Sequence, residues 1–352
     1  MTQIEACPFP RTKPCAGGMT CRARRALKLD LAPALKREFA AFDFNLGPEG
    51  RNRFSHRSDL LTMVVRPEFD AELVRQNRGH PRFRFHDRER VLDVRWETGV
   101  FRVRTERQVL EARQLVGADG ANGVVNRIFQ VARPRGRALA LEINLPGTPV
   151  SVPCFDFGWV ERGYGWVFPK DDHSSIGLYT LERGRKDLRA RLAQYARAKG
   201  FSFDEHALEF EAHTIPFGGW RLRVPSVPVY VVGDAGGFAD ALTGEGIYHA
   251  LESGRLAGET AACVARGRSS HRRYYRRLWR RVLPDALLSS LCARAFYRWL
   301  GPSFACLRLP LVWRPLVQGF ARGATLSECL LFAPFYLAQS YRGRRAALRT
   351  EA

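Results

Sequence analysis

The sequence predicts a mixed α/β chain in which two different sheets precede a helical C-terminal region. Two short β-runs, ARQLVGADG at 112–120 and PVYVVGDAGG at 228–237, both close on Gly and Asp. Between them lie two further β-runs rich in aromatic and β-branched residues, and from about Ser269 the spacing turns helical. Strands that deliver a glycine and an acid to one sheet edge make a place where a ligand can sit.

Taken in order, VLDVRW and VFRVRT are strands broken at Thr98 and Gly99, and ARQLVGADG follows within the β-segment Arg90–Gly120. GYGWVFPK (Gly163–Lys170) and SSIGLYT (Ser174–Thr180) are strands of a separate sheet, turned by DDH. After Gly246, residues Ile247, Ala250, Leu251, Gly254, Ala257, Gly258 and Ala261 recur at helical spacing, with small side chains suited to close packing on a neighbour. No internal repeat or low-complexity linker interrupts the chain.

With 352 residues, 45% of them hydrophobic, the chain buries one large core or two modest ones, which excludes disorder as its main state. The net charge of +21 points to an anionic partner, nucleic acid, membrane surface or phosphorylated ligand, or to a coding bias, since only six of the 56 basic residues are lysine. Eight scattered cysteines, without CxxC or histidines at ligand spacing, argue for no metal site, no disulfide framework and a reducing cytoplasm. The first residues lack the apolar core of a signal peptide. The apolar stretch Thr325–Tyr341 carries Glu328 and Pro334 and falls short of the ~20 clean residues of a membrane span.

The strongest motif is Val231–Gly258, VVGDAGGFADALTGEGIYHALESGRLAG, where strand, Gly-Asp, glycine turn and helix follow without interruption. Asp234 can accept hydrogen bonds from ligand hydroxyls, glycines admit a ligand to the backbone, and a helix starting near Gly244–Gly246 offers N–H groups to negative charge. The alternative is a plain Gly-rich turn. Tyr164, Trp166 and Phe168 alternate along one strand and face one side, either as a wall for an apolar chain or as ordinary sheet core. Lys170 is a site residue or a solvated turn charge. SSHRRYYRRLWRRVL, 269–283, is an amphipathic basic helix with Arg272, Arg273, Arg276, Arg277, Arg280 and Arg281 on one face and Tyr274, Tyr275, Leu278, Trp279 and Val282 mostly on the other. It suits an anionic lipid surface with Trp and Tyr at the interface; nucleic acid is the rival, unaccompanied by any nucleic-acid module, and a solvated face packed on the domain the third reading.

These motifs together resemble the geranylgeranyl reductase branch of the FAD-dependent oxidoreductases, built like the aromatic hydroxylases. The Gly233-Asp234 segment with its Leu-Thr-Gly-Glu-Gly-Ile tail is similar to the family's second FAD motif. Leu115–Arg127, LVGADGANGVVNR, resembles its Asp-Gly motif, with Gly123 where Ser is common. GYGWVFPK resembles the Tyr-x-Trp-x-Phe-Pro-Lys signature, PRTKPCAGG (Pro10–Gly18) the Pro-Arg-x-Lys-Pro-Cys-Gly-Gly segment with Ala16 replacing a Gly, and VRPEFDAELV (Val65–Val74) the Arg-x-x-Phe-Asp-x-x-Leu helix. Five co-linear motifs across roughly residues 4–265 are more specific than any one.

The resemblance implies a doubly wound FAD-binding domain in two parts, 1–135 and 223–268, an inserted antiparallel β-sheet substrate domain at 136–222, and a helical C-terminal region at 269–352. The family's Gly-x-Gly-x-x-Gly unit is absent, so the N-terminal βαβ of that domain, about 30 residues, is expected to be missing, either through an incomplete gene model or as a real truncation. Glu5 would hold the adenosine ribose, Arg66 would contact FAD, and Cys15, Ala16 and Gly18 would line the isoalloxazine. Asp234 would hold the ribityl or pyrophosphate region, Gly246 and Ile247 would offer N–H groups, and Asp119 would lie near the cofactor, though Asp-Gly is also an ordinary turn. Cys15 is either the catalytic proton donor or a packed thiol.

The implied reaction is reduction of C=C bonds in a polyprenyl substrate, of a lipid, quinone or pigment precursor, with electrons from NADPH or reduced ferredoxin. An acid of uncertain identity must supply the proton. The implied setting is cytoplasmic, peripheral on the inner face of the membrane. A monooxygenase or halogenase on the same scaffold, and a cofactor-free remnant that binds a membrane or partner, are the alternatives.

Overall fold

The computed structural model describes residues 1–336 and 338 apart from residues 28, 48, 49, 183 and 185, so the ends of the 325–341 stretch and of the 269–352 region lie outside the described residues. The chain opens with β1 (Thr2–Ile4), then an irregular loop in which prolines 8, 10 and 14 prevent a regular ladder. β2 (Gly18–Thr20) leads into α1 (Cys21–Ala26), started by the Thr20 hydroxyl, which accepts from the Ala23 N–H. β3 (Leu35–Phe39), β4 (Ala41–Leu46), β5 (Gly50–Ser55) and β6 (Leu61–Val64) precede α2 (Arg66–Arg78), which has Pro67 in its first turn. There follow β7 (Arg84–His86), β8 (Val91–Glu97), β9 (Val100–Thr105), β10 (Val109–Ala112), β11 (Leu115–Gly117) and α3 (Val124–Phe129). Thr98 and Gly99, both at positive φ, make the tight β8–β9 turn where the sequence shows its break.

The middle of the chain holds β12 (Gly136–Pro146), β13 (Cys154–Phe157), β14 (Gly163–Pro169), β15 (His173–Thr180), α4 (Leu188–Ala198), β16 (Glu211–Phe217) and β17 (Val229–Val231). The last part is helical, as expected from the sequence: α5 (Ile247–Ala265), α6 (Arg272–Arg281), α7 (Leu283–Arg298), α8 (Leu300–Leu307), α9 (Pro310–Ala321) and α10 (Leu326–Leu331). No described helix is long and apolar enough to cross a membrane.

The largest sheet runs β16-β12-β15-β14-β13-β4-β5, antiparallel except where β13 lies parallel to β4. It takes two strands from residues 41–55 and so crosses the boundary expected at 136. Phe42 and Phe44 on β4 and Phe155 and Phe157 on β13 share one aromatic face, a long-range match that local pattern does not reveal. β14 is buried on both sides. Tyr164, Trp166 and Phe168 join the main core with Tyr297, Phe304 and Val317 of α7–α9, while Val167 packs with Leu192, Tyr195 and Ala196 of α4. Gly165 leaves room for the Tyr195 ring, which lies 2.7 Å from where a Cβ would stand.

The two Gly-Asp strands pair as expected of neighbours, β11 parallel to β17, and β1 pairs parallel with β7. Two expectations are corrected here. Gly254 and Gly258 of α5 have no atom within 4 Å of a would-be Cβ and do not mediate close packing; of the small residues expected to do so, Ala257 is fully buried, beside Leu256 and Thr260. Tyr274 and Tyr275 are not at an interface. Both are fully buried and donate their hydroxyls to the Val231 and Val229 carbonyls, each at 2.6 Å, sealing one edge of β17.

Candidate active site

The loop between β1 and β2 brings most of the expected site residues together through a chain of short contacts. Glu5 Oε2 accepts from Arg11 Nε at 3.0 Å, and Arg11 reaches Asp70 at 3.3 Å. Asp70 also binds Arg66 at 2.8 Å across one turn of α2. The Arg66 guanidinium in turn contacts Cys15; burial works against its charge, but Cys15 and Asp70 hold it protonated more firmly than an ordinary arginine. At the other side of the loop, Lys13 Nζ lies 3.3 Å from Asp234 Oδ2.

Asp234 follows β17 in a short 3-10 turn. Burial alone would raise its pKa, but His213 and Lys13 outweigh that and bring it down to about 2. Gly246 sits beside it, with Asp234 Oδ1 only 3.4 Å from a would-be Cβ. Gly246 is the N-cap of α5 and offers no side chain to the first turn, so this end of a 19-residue helix keeps its N–H groups for another acceptor. Ile247 packs its side chain against the small core of Met19, Val64 and Phe69.

Cys15, Ala16 and Gly18 run past the end of the aromatic strand. Gly18 lies so close to Phe168 that a Cβ would meet the ring at 2.5 Å, and at Gly17, φ +73°, a Cβ would meet the Val64 carbonyl at 2.1 Å. The Cys15 N–H donates to Glu142 Oε1 at 2.6 Å. Glu142 was not singled out in the sequence, although one acid inside the apolar run ALALEINL of β12 is a signal. Its other oxygen accepts from Ser175 Oγ at 3.4 Å, and Ser175 Oγ accepts from Trp166 Nε1 at 3.1 Å. Burial pushes the Glu142 pKa up to about 7, with Glu211 directly opposite on β16 adding to the rise, while the Cys15 N–H and Lys170 oppose it.

Lys170 is 4% exposed, which removes the solvated-turn reading. Its backbone closes the β14–β15 hairpin onto His173, and its ammonium lies against Gly17. Burial pulls its pKa below the ordinary lysine value, with Cys15 and Glu142 opposing.

Tyr164, Trp166 and Phe168 are each at most 6% exposed, packed in the main core as well as facing the site. The Tyr164 hydroxyl donates to the Thr243 carbonyl and Tyr179 to the Ala241 carbonyl at 2.8 Å, tying the aromatic sheet to the Thr-Gly-Glu-Gly loop. That loop is held from below by Arg22, also unmarked in the sequence. Its guanidinium binds Glu245 Oε2 through Nε at 3.0 Å and Asp285 Oδ2 of α7 at 2.8 Å, and stacks over Tyr248 at 4.6 Å. His249, 1% exposed, has no hydrogen-bond partner on either ring nitrogen among the described residues, and burial with Arg22 beside it lowers its pKa. Asp119 stands apart from this chain of contacts: its carboxylate accepts from the Val125 N–H at 2.9 Å and caps α3.

The residues fit a flavin dinucleotide. An uncapped helix end, a half-buried Asp234 with Lys13 and His213 beside it, and a loop with short side chains at Ala16, Gly17 and Gly18 form a polar cradle beside an aromatic wall. Among the described residues no cluster of His, Cys, Asp and Glu could hold a metal ion.

This architecture is that of the FAD-dependent flavoproteins. It superposes on a geranylgeranyl bacteriochlorophyll reductase-like protein of Thermoplasma acidophilum with a TM-score of 0.73 at 16% identity, covering 99% of this chain and 91% of that one. A probable FAD-dependent monooxygenase of Pseudomonas aeruginosa gives 0.66 at 16% identity over 86% and 91%, and a flavin-dependent brominase 0.68 at 17% over 98% and 93%. At these identities the likeness shows the fold alone. No family model matches the chain. In sequence, 31% identity over 332 residues, 92% of this chain and 84% of the relative, joins it to an uncharacterised protein of Methanosarcina barkeri. It is 30% identical over 207 residues, 54% of this chain and 44% of the relative, to the chloroplastic geranylgeranyl diphosphate reductase of Arabidopsis thaliana. It is also 30% identical over 216 residues, 57% and 55%, to digeranylgeranylglycerophospholipid reductase 2 of Methanothermobacter thermautotrophicus. The chain belongs to the geranylgeranyl reductase family of FAD-dependent oxidoreductases. Its alignments span about half the length of the curated reductases it matches.

Proposed function

We propose that the protein reduces carbon–carbon double bonds in the polyprenyl group of a lipid, quinone or pigment precursor, with FAD as its cofactor and NADPH or reduced ferredoxin as the electron source. The observation that carries this reading is the meeting of an aromatic wall with a proton-holding cluster of half-buried Cys15 and buried Glu142 and Lys170. Asp234, Gly246 and the first N–H groups of α5 would hold the flavin end, with Glu5, Arg11 and Arg66 toward the remainder of the dinucleotide. Bound and reduced, FAD supplies hydride.

An isolated alkene accepts hydride only if a proton reaches the other carbon as the new bond forms, and only where water is kept out. Tyr164, Trp166 and Phe168 supply an apolar surface with its polar atoms already bonded inward. Cys15 delivers the proton from the end of that surface. Glu142 and Lys170 restore it, because burial brings the proton affinity of the carboxyl up and of the ammonium down.

The test is to add FAD to the purified protein, reduce it without air, supply a geranylgeranyl lipid and follow the product by mass spectrometry. Addition of two hydrogens per bond, with the loss of turnover but not of flavin in Cys15→Ala, is expected. A protein that stays colourless with FAD refutes the cofactor, a product that needs dioxygen refutes the reductase reading, and undiminished turnover in Cys15→Ala removes Cys15 as donor.

A further inference from the structure

We infer that a cationic groove between α6 and the segment 221–224 binds phosphate headgroups of an anionic lipid surface. The groove has two lobes, about 450 and 460 Å³, that share Trp279. Arg133, Arg221 and Arg223 line one lobe, and Arg272 and Arg276 line the other, with no acidic residue in either lining.

The backbone sets this arrangement. Ala132 and Leu222 form an antiparallel bridge, with Arg133 N–H bonded to the Arg221 carbonyl and Arg223 N–H to the Val131 carbonyl. Arg133 and Arg221 are therefore neighbours across the bridge, an unfavourable like-charge pair unless an anion lies between them. On α6, Arg272 and Arg276 are one turn apart and Trp279 is three residues further, so all three share a face. The His271 ring reaches the Pro225 carbonyl at 2.9 Å and fastens the start of α6 to the opposite wall.

Arg133, Arg221, Arg223, Arg272 and Arg276 are exposed, and none forms an ion pair among the described residues. Their neighbour Arg277 differs, being bound to Glu259 of α5 at 2.6 Å. Arg273, Arg280 and Arg281 of α6 are likewise exposed and without an ion pair among the described residues, so most of the charge of this helix is unneutralised, and where Arg272 and Arg276 converge with Arg133, Arg221 and Arg223 the cations raise the local concentration of anions.

The aromatic groups favour a lipid surface over single-stranded nucleic acid. A nucleic-acid platform needs successive open ring faces. Here Tyr274 and Tyr275 are buried, and Trp220 is covered by the Arg135 guanidinium at 5.6 Å. Trp279, 52% exposed, remains with Val224, 45% exposed, at the rim, an arrangement suited to the boundary between headgroups and acyl chains. The assignment stands apart from the reaction proposed above, because binding is measured without turnover.

The experiment is flotation with vesicles of phosphatidylcholine alone or mixed with phosphatidylglycerol, at low and at high salt. Wild type is expected to float with the mixed vesicles only, and less so at high salt. Arg272→Gln/Arg276→Gln should bind the mixed vesicles roughly 25-fold more weakly, at about fivefold per arginine. Arg104→Gln/Arg113→Gln, which removes the same charge from the β8–β11 region, should leave binding near wild type. Lipids brominated in their acyl chains should quench part of the tryptophan emission of wild type, and that part should vanish in Trp279→Phe. Equal flotation with both vesicle types, an equal loss in the control pair, or a single-stranded DNA bound more tightly than the mixed vesicles and lost with Arg272→Gln/Arg276→Gln would overturn the assignment.

Discussion

Glu142 makes stability depend on pH in a direction opposite to that of an ordinary ion-paired carboxylate. Its ordinary pKa of 4.5 holds in the unfolded chain, and the fold raises it to about 7. The protonated form is therefore favoured by folding, so its contribution is fully present below pH 4.5 and is lost as pH rises through about 7. The difference in proton affinity corresponds to about 3 kcal/mol. Glu142→Gln keeps an oxygen for the Cys15 N–H and an amide for Ser175, but it has no charge to bury. Relative to wild type, the variant should gain about 3 kcal/mol on going from pH 5 to pH 8.5, or about 4 °C in melting temperature for a chain this long. Thermal unfolding of both proteins at the two values measures it. Parallel pH dependence in the two proteins would refute the reasoning, because it would mean that Glu142 is ionised in the folded protein at both values. The same group should also shape catalysis: turnover should fall above an apparent pKa near 7, and the fall should disappear in Glu142→Gln.

Four further outcomes follow from the geometry. Arg22→Ala leaves the buried Glu245 and Asp285 without their shared cation and should cost about 3–5 kcal/mol in urea denaturation. Gly17→Ala forces a side chain into a left-handed backbone against the Val64 carbonyl and should cost more than about 1 kcal/mol, with loss of the Val64 N–H protection that reports its bond to Gly17. Tyr274→Phe/Tyr275→Phe unseals the β17 edge and should cost about 2 kcal/mol, visible as an earlier urea midpoint. Asp234→Ala should weaken FAD binding by tenfold or more, measured by flavin fluorescence titration, and should leave the fold intact by circular dichroism.

The parts of this fold that are legible in sequence are those set by local pattern. The β8–β9 turn shows as Thr98-Gly99, the twin strands β11 and β17 as runs ending in Gly and Asp, and α5 as a helical spacing after Gly246. What depends on distant partners was not legible. Arg22 meets Asp285 across 263 positions, and nothing near either residue marks the pair. The two strands β4 and β5 carry Phe42, Phe44 and Phe54, apolar positions that suit any sheet, so their membership of the large sheet is decided by the fit of Phe44 against Phe155 and Phe157. Lys170 looks like a turn charge because it follows Pro169 and precedes two aspartates. It is buried because the loop through Gly17 closes over it.

The two readings offered for the aromatic strand at the level of sequence do not exclude each other: its three rings are packed in the main core. A residue whose ring packs in the core and whose polar atom is bonded inward is held in one rotamer, and a rigid wall is what orients an apolar chain. Trp166 does this through Ser175 to Glu142, so a hydrogen-bond line of three side chains runs from the core to the N–H of Cys15. Tyr164 and Tyr179 do it through the Thr243 and Ala241 carbonyls, which ties the same core to the loop before α5. Packing energy in the main core is thereby coupled to the position of both the proton-holding groups and the helix end. It follows that Trp166→Phe, which removes the indole N–H and leaves Ser175 Oγ without that donor, should alter the pH dependence of turnover more than it alters stability. An unchanged pH profile with a large loss of stability would assign Trp166 to packing alone.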